Sequence, residues 1–234
     1  MTAAKARGRV DVSAYLVVGP ENTEGRSVRE IVAAAVAAGF TCVQIRSKEA
    51  SARELIALTR EAAQVITAAA RRVTLLVDDR LDVVLAARQL GVKVDGVHVG
   101  QSDIPPEVCR ACLGEEAVVG LSARTDALLD YVQGADVGPV DYFGAGPLHE
   151  TATKPDCGRN AEGRVVTRSF AELRELARVS PIPVVVGGGV KLADIAPLKA
   201  TGVDGFFVVS AVAGAPDPRE AAAALVDAWR EAKP

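Results

Sequence analysis

The chain has 234 residues, 49% of them apolar and 24% charged, with a net charge of −3 and a pI near 5.5. That balance excludes wholesale disorder and coiled-coil chains, and the lack of a basic surplus excludes a general electrostatic grip on nucleic acid. No apolar run reaches the ~18–20 residues of a membrane span, and Met1 to Val10 lacks the apolar block of a secretory signal.

Strand-like and helix-like segments then alternate from end to end. Ala14–Val18 is a strand closed by Gly19-Pro20, and Val28–Ala38 an Ala-rich helix stopped by Gly39. Strand Cys42–Arg46 precedes helix Ala52–Ala70, and strand Thr74–Val77 precedes helix Leu81–Gln89. Gly96–Val99 and Val118–Ser122 are the fourth and fifth strands, with helices opening near Pro105 and Asp126. Tyr142–Ala145 is the sixth strand, followed by a polar loop to about Gly163 and a helix Val165–Arg178. Pro183–Val186 with helix Leu192–Ala200, and Phe206–Val209 with helix Pro218–Glu231, complete the set.

Several strands are unbroken apolar runs, as parallel strands covered on both faces by helices are. Eight alternating units in this length predict a single-domain (β/α)8 barrel, the TIM barrel, over residues 11–234, behind a flexible tail 1–10. A doubly wound open sheet is the alternative with the same periodicity. Cys109 and Cys112 form a CxxC, but on a helix rather than a strand-to-helix turn. They read as incidental thiols of a cytoplasmic protein.

In such a barrel the chemistry sits at the C-terminal strand ends. After strand two, Gln44, Arg46 and Lys48 alternate, which puts an amide and two cations on one face. Buried cations need anions, and a polyphosphate supplies them; a solvated strand end is the bland reading. Asp78-Asp79 follows strand three and Asp103 follows strand four. Carboxylates from neighbouring strand ends suit one hard cation such as Mg²⁺, while Asp79 and Asp103 read equally as helix N-caps. Gly187-Gly188-Gly189 after strand seven and Ser210 at the end of strand eight fit a phosphate site, or a tight turn into a helix. Thr151, Thr153 and Lys154 in the long loop offer two hydroxyls and an ammonium to a second anion. Ser122 ends strand five, where it can hydrogen-bond a heteroaromatic substrate. His98 is either an acid, base or donor in the barrel mouth or a packed core histidine, and His149 reads as loop surface.

From Tyr15 to Trp229 the chain resembles the thiamine-phosphate synthases. The resemblance is carried by Gln44-Ile45-Arg46-Ser47-Lys48, Asp78-Asp79, the HxGQxD block His98 to Asp103, Gly120-Leu121-Ser122, the GxGP of Gly144 to Pro147, the TxTK of Thr151 to Lys154, Gly188-Gly189-Val190 and Val209-Ser210-Ala211. It implies a Mg²⁺-dependent transferase of thiamine biosynthesis, which joins 4-amino-2-methyl-5-(diphosphooxymethyl)pyrimidine to a thiazole phosphate and releases pyrophosphate. By the same resemblance Gln44, Ile45, Arg46, Ser47, Lys48, Asp78, Ser122 and Lys154 hold the pyrimidine diphosphate, with Arg46, Lys48, Ser122 and Lys154 in catalytic roles. Asp79 and Asp103 carry the metal, and Thr151, Ala152, Thr153, Gly189, Val209 and Ser210 bind the thiazole phosphate. The implied partners are these small molecules, with neither nucleic acid nor membrane. Ala-rich exposed helices leave room for a homo-oligomer that nothing in the sequence marks.

The chain departs from the family pattern in places. Asp78-Asp79 stands where Asn-Asp is usual, and Glu150 where a proline commonly precedes TxTK. Arg124-Thr125 replaces a frequent His-Thr, and the 155–163 loop carries Cys157 and Arg159. The extra carboxylate of Asp78 either tightens metal binding or weakens the hold on an anionic diphosphate. Two rival readings are a thiazole tautomerase of the same fold and a phosphate-ligand sensor without turnover.

Overall fold

The computed structural model describes residues 10–150, 158 and 163–233. Eight strands, all paired in parallel, run β1 (Ala14–Val18), β2 (Cys42–Ile45), β3 (Thr74–Asp78), β4 (Gly96–Val99), β5 (Val118–Ser122), β6 (Tyr142–Ala145), β7 (Val184–Val186) and β8 (Gly205–Val208). β8 pairs back onto β1, so the sheet is a closed barrel and the open-sheet alternative is excluded. Helices α1 (Val28–Ala38), α2 (Ala52–Ala68), α3 (Leu81–Gln89), α4 (Pro106–Leu113), α5 (Leu128–Gly134), α6 (Phe170–Val179) and α7 (Ile195–Lys199) follow the first seven strands in turn. A short α8 (Ser210–Ala213) and the long α9 (Pro218–Glu231) follow β8.

Local chemistry explains most of the boundaries. Ser27 and Ser51 open α1 and α2 with reciprocal bonds to Glu30 and Glu54, which satisfies first-turn N–H groups. Asp217 caps α9, accepting from the N–H groups of Arg219 and Glu220. Gly39 ends α1 at φ 110°, a conformation that favours a residue without Cβ. None of the helices among the described residues is long and apolar enough to cross a membrane.

The structure departs from the sequence expectation at a few ends. Helix α6 starts at Phe170 rather than Val165, because Val166 N–H donates to the Gly158 carbonyl (2.7 Å) and Arg168 N–H to the Pro147 carbonyl (2.9 Å). Those bonds hold the segment extended until Ser169 caps the helix. The expected helix Leu192–Ala200 is a 3-10 turn, Leu192–Asp194, followed by α7. Ser210 does not end a strand; it opens α8. The CxxC is a pair of free thiols on α4, Cys109 buried and Cys112 exposed.

Side chains alternate along each strand between helix layer and barrel interior. Leu16, Val43, Ile45, Leu75, Val77 and Val97 join the large apolar cluster that includes helix residues such as Ile31 and Leu55. Tyr15, Val17, Cys42, Leu76, Val118, Tyr142 and Val185 form a second, smaller cluster, the barrel's interior filling. Beneath the β5–β6 pair lies a buried ion pair, Arg110 Nη2 to Asp141 Oδ2 at 2.6 Å. Asp141 Oδ2 also accepts the Val119 N–H (2.8 Å), and the Arg110 guanidinium also donates to the carbonyls of Ala117 and Pro139.

Candidate active site

The parallel register sets the levels of the site. Asp78 on β3 pairs with His98 on β4, His98 with Gly120 on β5, and Gly120 with Tyr142 on β6. Those side chains therefore meet inside the barrel above the apolar filling. Gly120 and Gly144 make the space: a Cβ at Gly120 would collide with the Tyr142 phenol and approach His98 Nδ1 to 2.5 Å, and one at Gly144 would come within 3.2 Å of His98 Cε1.

A polar chain crosses the barrel at this level. Arg46 Nε lies 3.1 Å from Asp78 Oδ2, an ion pair whose atoms face each other without hydrogen-bond alignment. Gln44 Nε2 donates to Asp78 Oδ1, and Gln44 Oε1 accepts from Tyr15 Oη (2.7 Å). The Tyr15 and Tyr142 hydroxyls are 2.9 Å apart, Tyr142 Oη is 2.8 Å from His98 Nδ1, and His98 Nε2 is 3.0 Å from Ser122 Oγ. Burial above all pushes both tyrosine hydroxyls well above the ordinary phenol value. His98 is thus a buried, bonded histidine rather than one open to the mouth.

The second cluster is more open. Lys48 Nζ is ion-paired with Asp79, whose carboxylate neighbours that of Asp103. Burial works against the Lys48 charge, but the bond to Asp79 and the charges of Asp79 and Asp78 outweigh it and raise its pKa. Burial and the contact with Asp79 raise the pKa of Asp103, against the opposing N–H of Gly100, which donates to it at 2.7 Å. Neither aspartate caps a helix: the N-cap positions of α3 and α4 are Arg80 and Pro105, without side-chain bonds. Asp79 sits at φ 58°, in the left-handed region.

Gln44, Arg46, Lys48, Asp78, Asp79, Asp103 and Ser122 thus come together at the ends of β2 to β5, as the sequence reading expected. Ile45 packs into the layer beneath the helices, so its side chain faces away from the barrel interior. The Ser47 hydroxyl bonds Glu21 and accepts the Ala50 N–H (2.8 Å), so it shapes the loop after β2. Gly188 and Gly189 have φ of 82° and 74° and pack so closely on Pro147 and His149 that a Cβ would not fit. Val209 links β8 to α8, and Ser210 is the first residue of α8. Thr151, Ala152, Thr153 and Lys154 lie outside the described residues, as does most of the 155–163 loop. Two features were missed in the sequence: the inward tyrosines, and Gln101, whose Nε2 donates to the Ser122 carbonyl (2.7 Å) and to Tyr131 Oη (3.0 Å). No sequence signal marked the tyrosines, because β1 and β6 are buried on both faces. His149 is not idle surface; its Nε2 lies 3.0 Å from Asp194 Oδ2, tying the loop after β6 to that after β7.

Comparison with known proteins points the same way. The family model described as thiamine monophosphate synthase matches residues 14–212. A protein named thiamine-phosphate synthase from Corynebacterium efficiens is 40% identical over 224 residues, covering 95% of this chain and 97% of its own. Another so named, from Azorhizobium caulinodans, is 39% identical over 216 residues, covering 92% and 93%. The solved structure of a thiamine phosphate pyrophosphorylase from Pyrococcus furiosus superposes with a TM-score of 0.78 at 30% identity, over 96% of this chain and 98% of that one.

Proposed function

The chain belongs to the thiamine monophosphate synthase family, and we propose from that premise how its residues divide the work. The reaction joins 4-amino-2-methyl-5-(diphosphooxymethyl)pyrimidine to thiazole phosphate, giving thiamine phosphate and pyrophosphate. The bond between the pyrimidine methylene and the diphosphate oxygen breaks with its electron pair leaving on pyrophosphate. The thiazole nitrogen lone pair forms the new C–N bond.

The observation that carries the assignment is the pairing of Arg46 and Lys48 with Asp78 and Asp79 at adjacent strand ends. In our reading Arg46, Lys48 and Lys154 neutralise charge growing on the leaving group, the kind of stabilisation that matters when no side chain attacks. Gln44, Asp78 and Ser122 hold the pyrimidine, with the main chain of Ile45 and the loop formed by Ser47 beside them. Thr151, Ala152, Thr153, Gly189, Val209 and Ser210 take the thiazole phosphate; the tight glycine turn supports this by allowing close backbone approach. Holding both substrates in line supplies much of the acceleration.

Asp79 and Asp103 fit a hard divalent cation. Two neighbouring carboxylates, one with its pKa raised by burial and then by the other, form a donor set that gains from a cation between them. Among the described residues no third His, Cys, Asp or Glu joins them. A Mg²⁺ there would draw its other ligands from diphosphate and water, and would neutralise the departing pyrophosphate. The free thiols Cys42, Cys109 and Cys112 support a cytoplasmic setting.

The test is pyrophosphate release by the purified protein with Mg²⁺ and the pyrimidine diphosphate, with and without thiazole phosphate. Release that depends on the thiazole, with thiamine phosphate appearing in step, is the expected result. Binding of both substrates with no product would overturn the reading.

A further inference from the structure

The hydrogen bonds that cross the barrel can be given a direction. Asp78, ion-paired with Arg46, offers only lone pairs, so the Gln44 group beside it must be the amide N–H₂. Gln44 then turns its carbonyl oxygen to Tyr15, whose single O–H proton is spent on it. At the Tyr15–Tyr142 contact the proton must therefore come from Tyr142. With its own proton used, Tyr142 can only accept from His98, so Nδ1 carries the hydrogen. In the neutral ring, the form that burial of His98 favours, Nε2 is then a lone pair, and Ser122 donates to it. The raised pKa values of both phenols, set chiefly by burial, keep each link supplied with its proton. Gln101 fixes the Ser122 main chain from the other side.

We propose that Tyr15, Tyr142 and His98 are positioning residues that fix the hydrogen-bond polarity of Ser122, leaving its hydroxyl oxygen as an acceptor for a substrate amino group, so that the site selects a 4-amino over a 4-oxo pyrimidine. The inference rests on the reading of Ser122 as a pyrimidine contact. A 4-oxo ring would turn carbonyl lone pairs toward the Ser122 lone pairs, and Ser122 cannot reverse without breaking its bond to His98. An unmade bond of this kind in a largely buried site corresponds to roughly a 10- to 100-fold difference in affinity.

Two measurements on the full-length protein test this. Long-range ¹H–¹⁵N correlation spectra read the ring protons of its two histidines, with His98→Gln assigning the signals. The expected tautomer of His98 is Nδ1–H with a bare Nε2. Tyr15→Phe, three links away from Ser122, frees the Tyr142 hydroxyl to turn toward Nδ1 and should move the proton to Nε2. Where Tyr15→Phe does not fold, Tyr142→Phe cuts the relay at the next link and removes the same constraint on Nδ1. In parallel, the unreactive monophosphates of the 4-amino and 4-oxo hydroxymethylpyrimidines serve as competitive inhibitors. The wild type should prefer the amino compound by roughly 10- to 100-fold, and the variant should lose most of that preference while keeping its KM for thiazole phosphate. A wild-type ring protonated at Nε2 or at both nitrogens would overturn the proposal, and so would a variant with unchanged tautomer and preference. If neither inhibitor competes, the pyrimidine reading of the site itself fails, while the spectra still judge the relay's direction.

Discussion

Arg46→Ala should damage the enzyme twice, and the two parts can be separated. The substitution removes the cation we assign to the diphosphate, a loss of about 1.5–3 kcal/mol for hydrogen bonds to a charged group. It also strands Asp78, whose side chain is only 4% exposed and whose second oxygen faces Arg46. For a phosphate charge taken at ~7 Å from that carboxylate, the repulsion is about 2 kcal/mol at an effective dielectric near ~20. Together these predict a fall of roughly a thousandfold in kcat/KM for the pyrimidine diphosphate. Asp78→Asn in the Arg46→Ala background removes the stranded charge, and its amide oxygen can still accept from Gln44. That double variant should recover roughly thirtyfold, the equivalent of about 2 kcal/mol. Steady-state kinetics on all variants decide the matter, with KM for thiazole phosphate moving less than about twofold. A double variant no better than Arg46→Ala would refute the electrostatic argument. Equal losses for both substrates would refute the placing of Arg46 at the diphosphate.

Three further outcomes are expected. Asp103→Ala should raise the Mg²⁺ concentration for half-maximal activity at least roughly tenfold, by removing one of the two carboxylates proposed for the metal; unchanged Mg²⁺ dependence would sink the metal assignment. Asp141→Asn leaves the Arg110 guanidinium buried without its anion, which costs about 3–5 kcal/mol. Calorimetry should then show a Tm lower by roughly 6–20 °C, and a fall under about 2 °C would contradict the reasoning. Glu30 lies below the ordinary carboxyl value because the Ser27 N–H and hydroxyl donate to it, and Glu54 because the Ser51 hydroxyl and N–H do. Since the folded pKa values are depressed, the stability these groups add is present above about 4.5 and disappears as the pH falls through the folded values. Urea unfolding at pH 7 and pH 4 should show a smaller loss for the Glu30→Gln/Glu54→Gln variant than for the wild type; equal losses would remove the carboxylates from the explanation.

Elements with strong local punctuation were legible in the sequence, and those defined by tertiary contacts were not. Helix α1, between Ser27 and Gly39, and helix α9, opened by Asp217-Pro218, match their sequence reading because each end carries its own chemistry. Helix α6 does not, because its start is set by main-chain bonds to Gly158 and Pro147, distant partners that periodicity cannot show. The charged residues of the site were visible through their spacing, since Gln44, Arg46 and Lys48 share a strand face whatever the sheet around them. Tyr15 and Tyr142 were hidden because apolar strands buried on both sides carry no mark of which face turns inward. Gly120 and Gly144 read as motif letters; their meaning as room for His98 needed the neighbouring strand. The helix-cap alternative for Asp79 and Asp103 could be removed only by the cap geometry itself.

Asp79 places a tension between durability and usefulness at a single residue. Its backbone, at φ 58°, occupies a region that costs most side chains about 1–2 kcal/mol and glycine nothing. The twist is held by the bond from its N–H to the His98 carbonyl (2.7 Å), which carries the chain sharply off the end of β3 and swings the carboxylate toward Lys48 and Asp103. Selection for heat resistance alone would favour glycine at position 79, and the barrel would lose with that change the carboxylate that pairs with Lys48 and that we propose for the cation. Any campaign to harden this protein therefore has to score turnover at every round, because relieving the strain at this position removes a carboxylate to which the proposed chemistry gives a role.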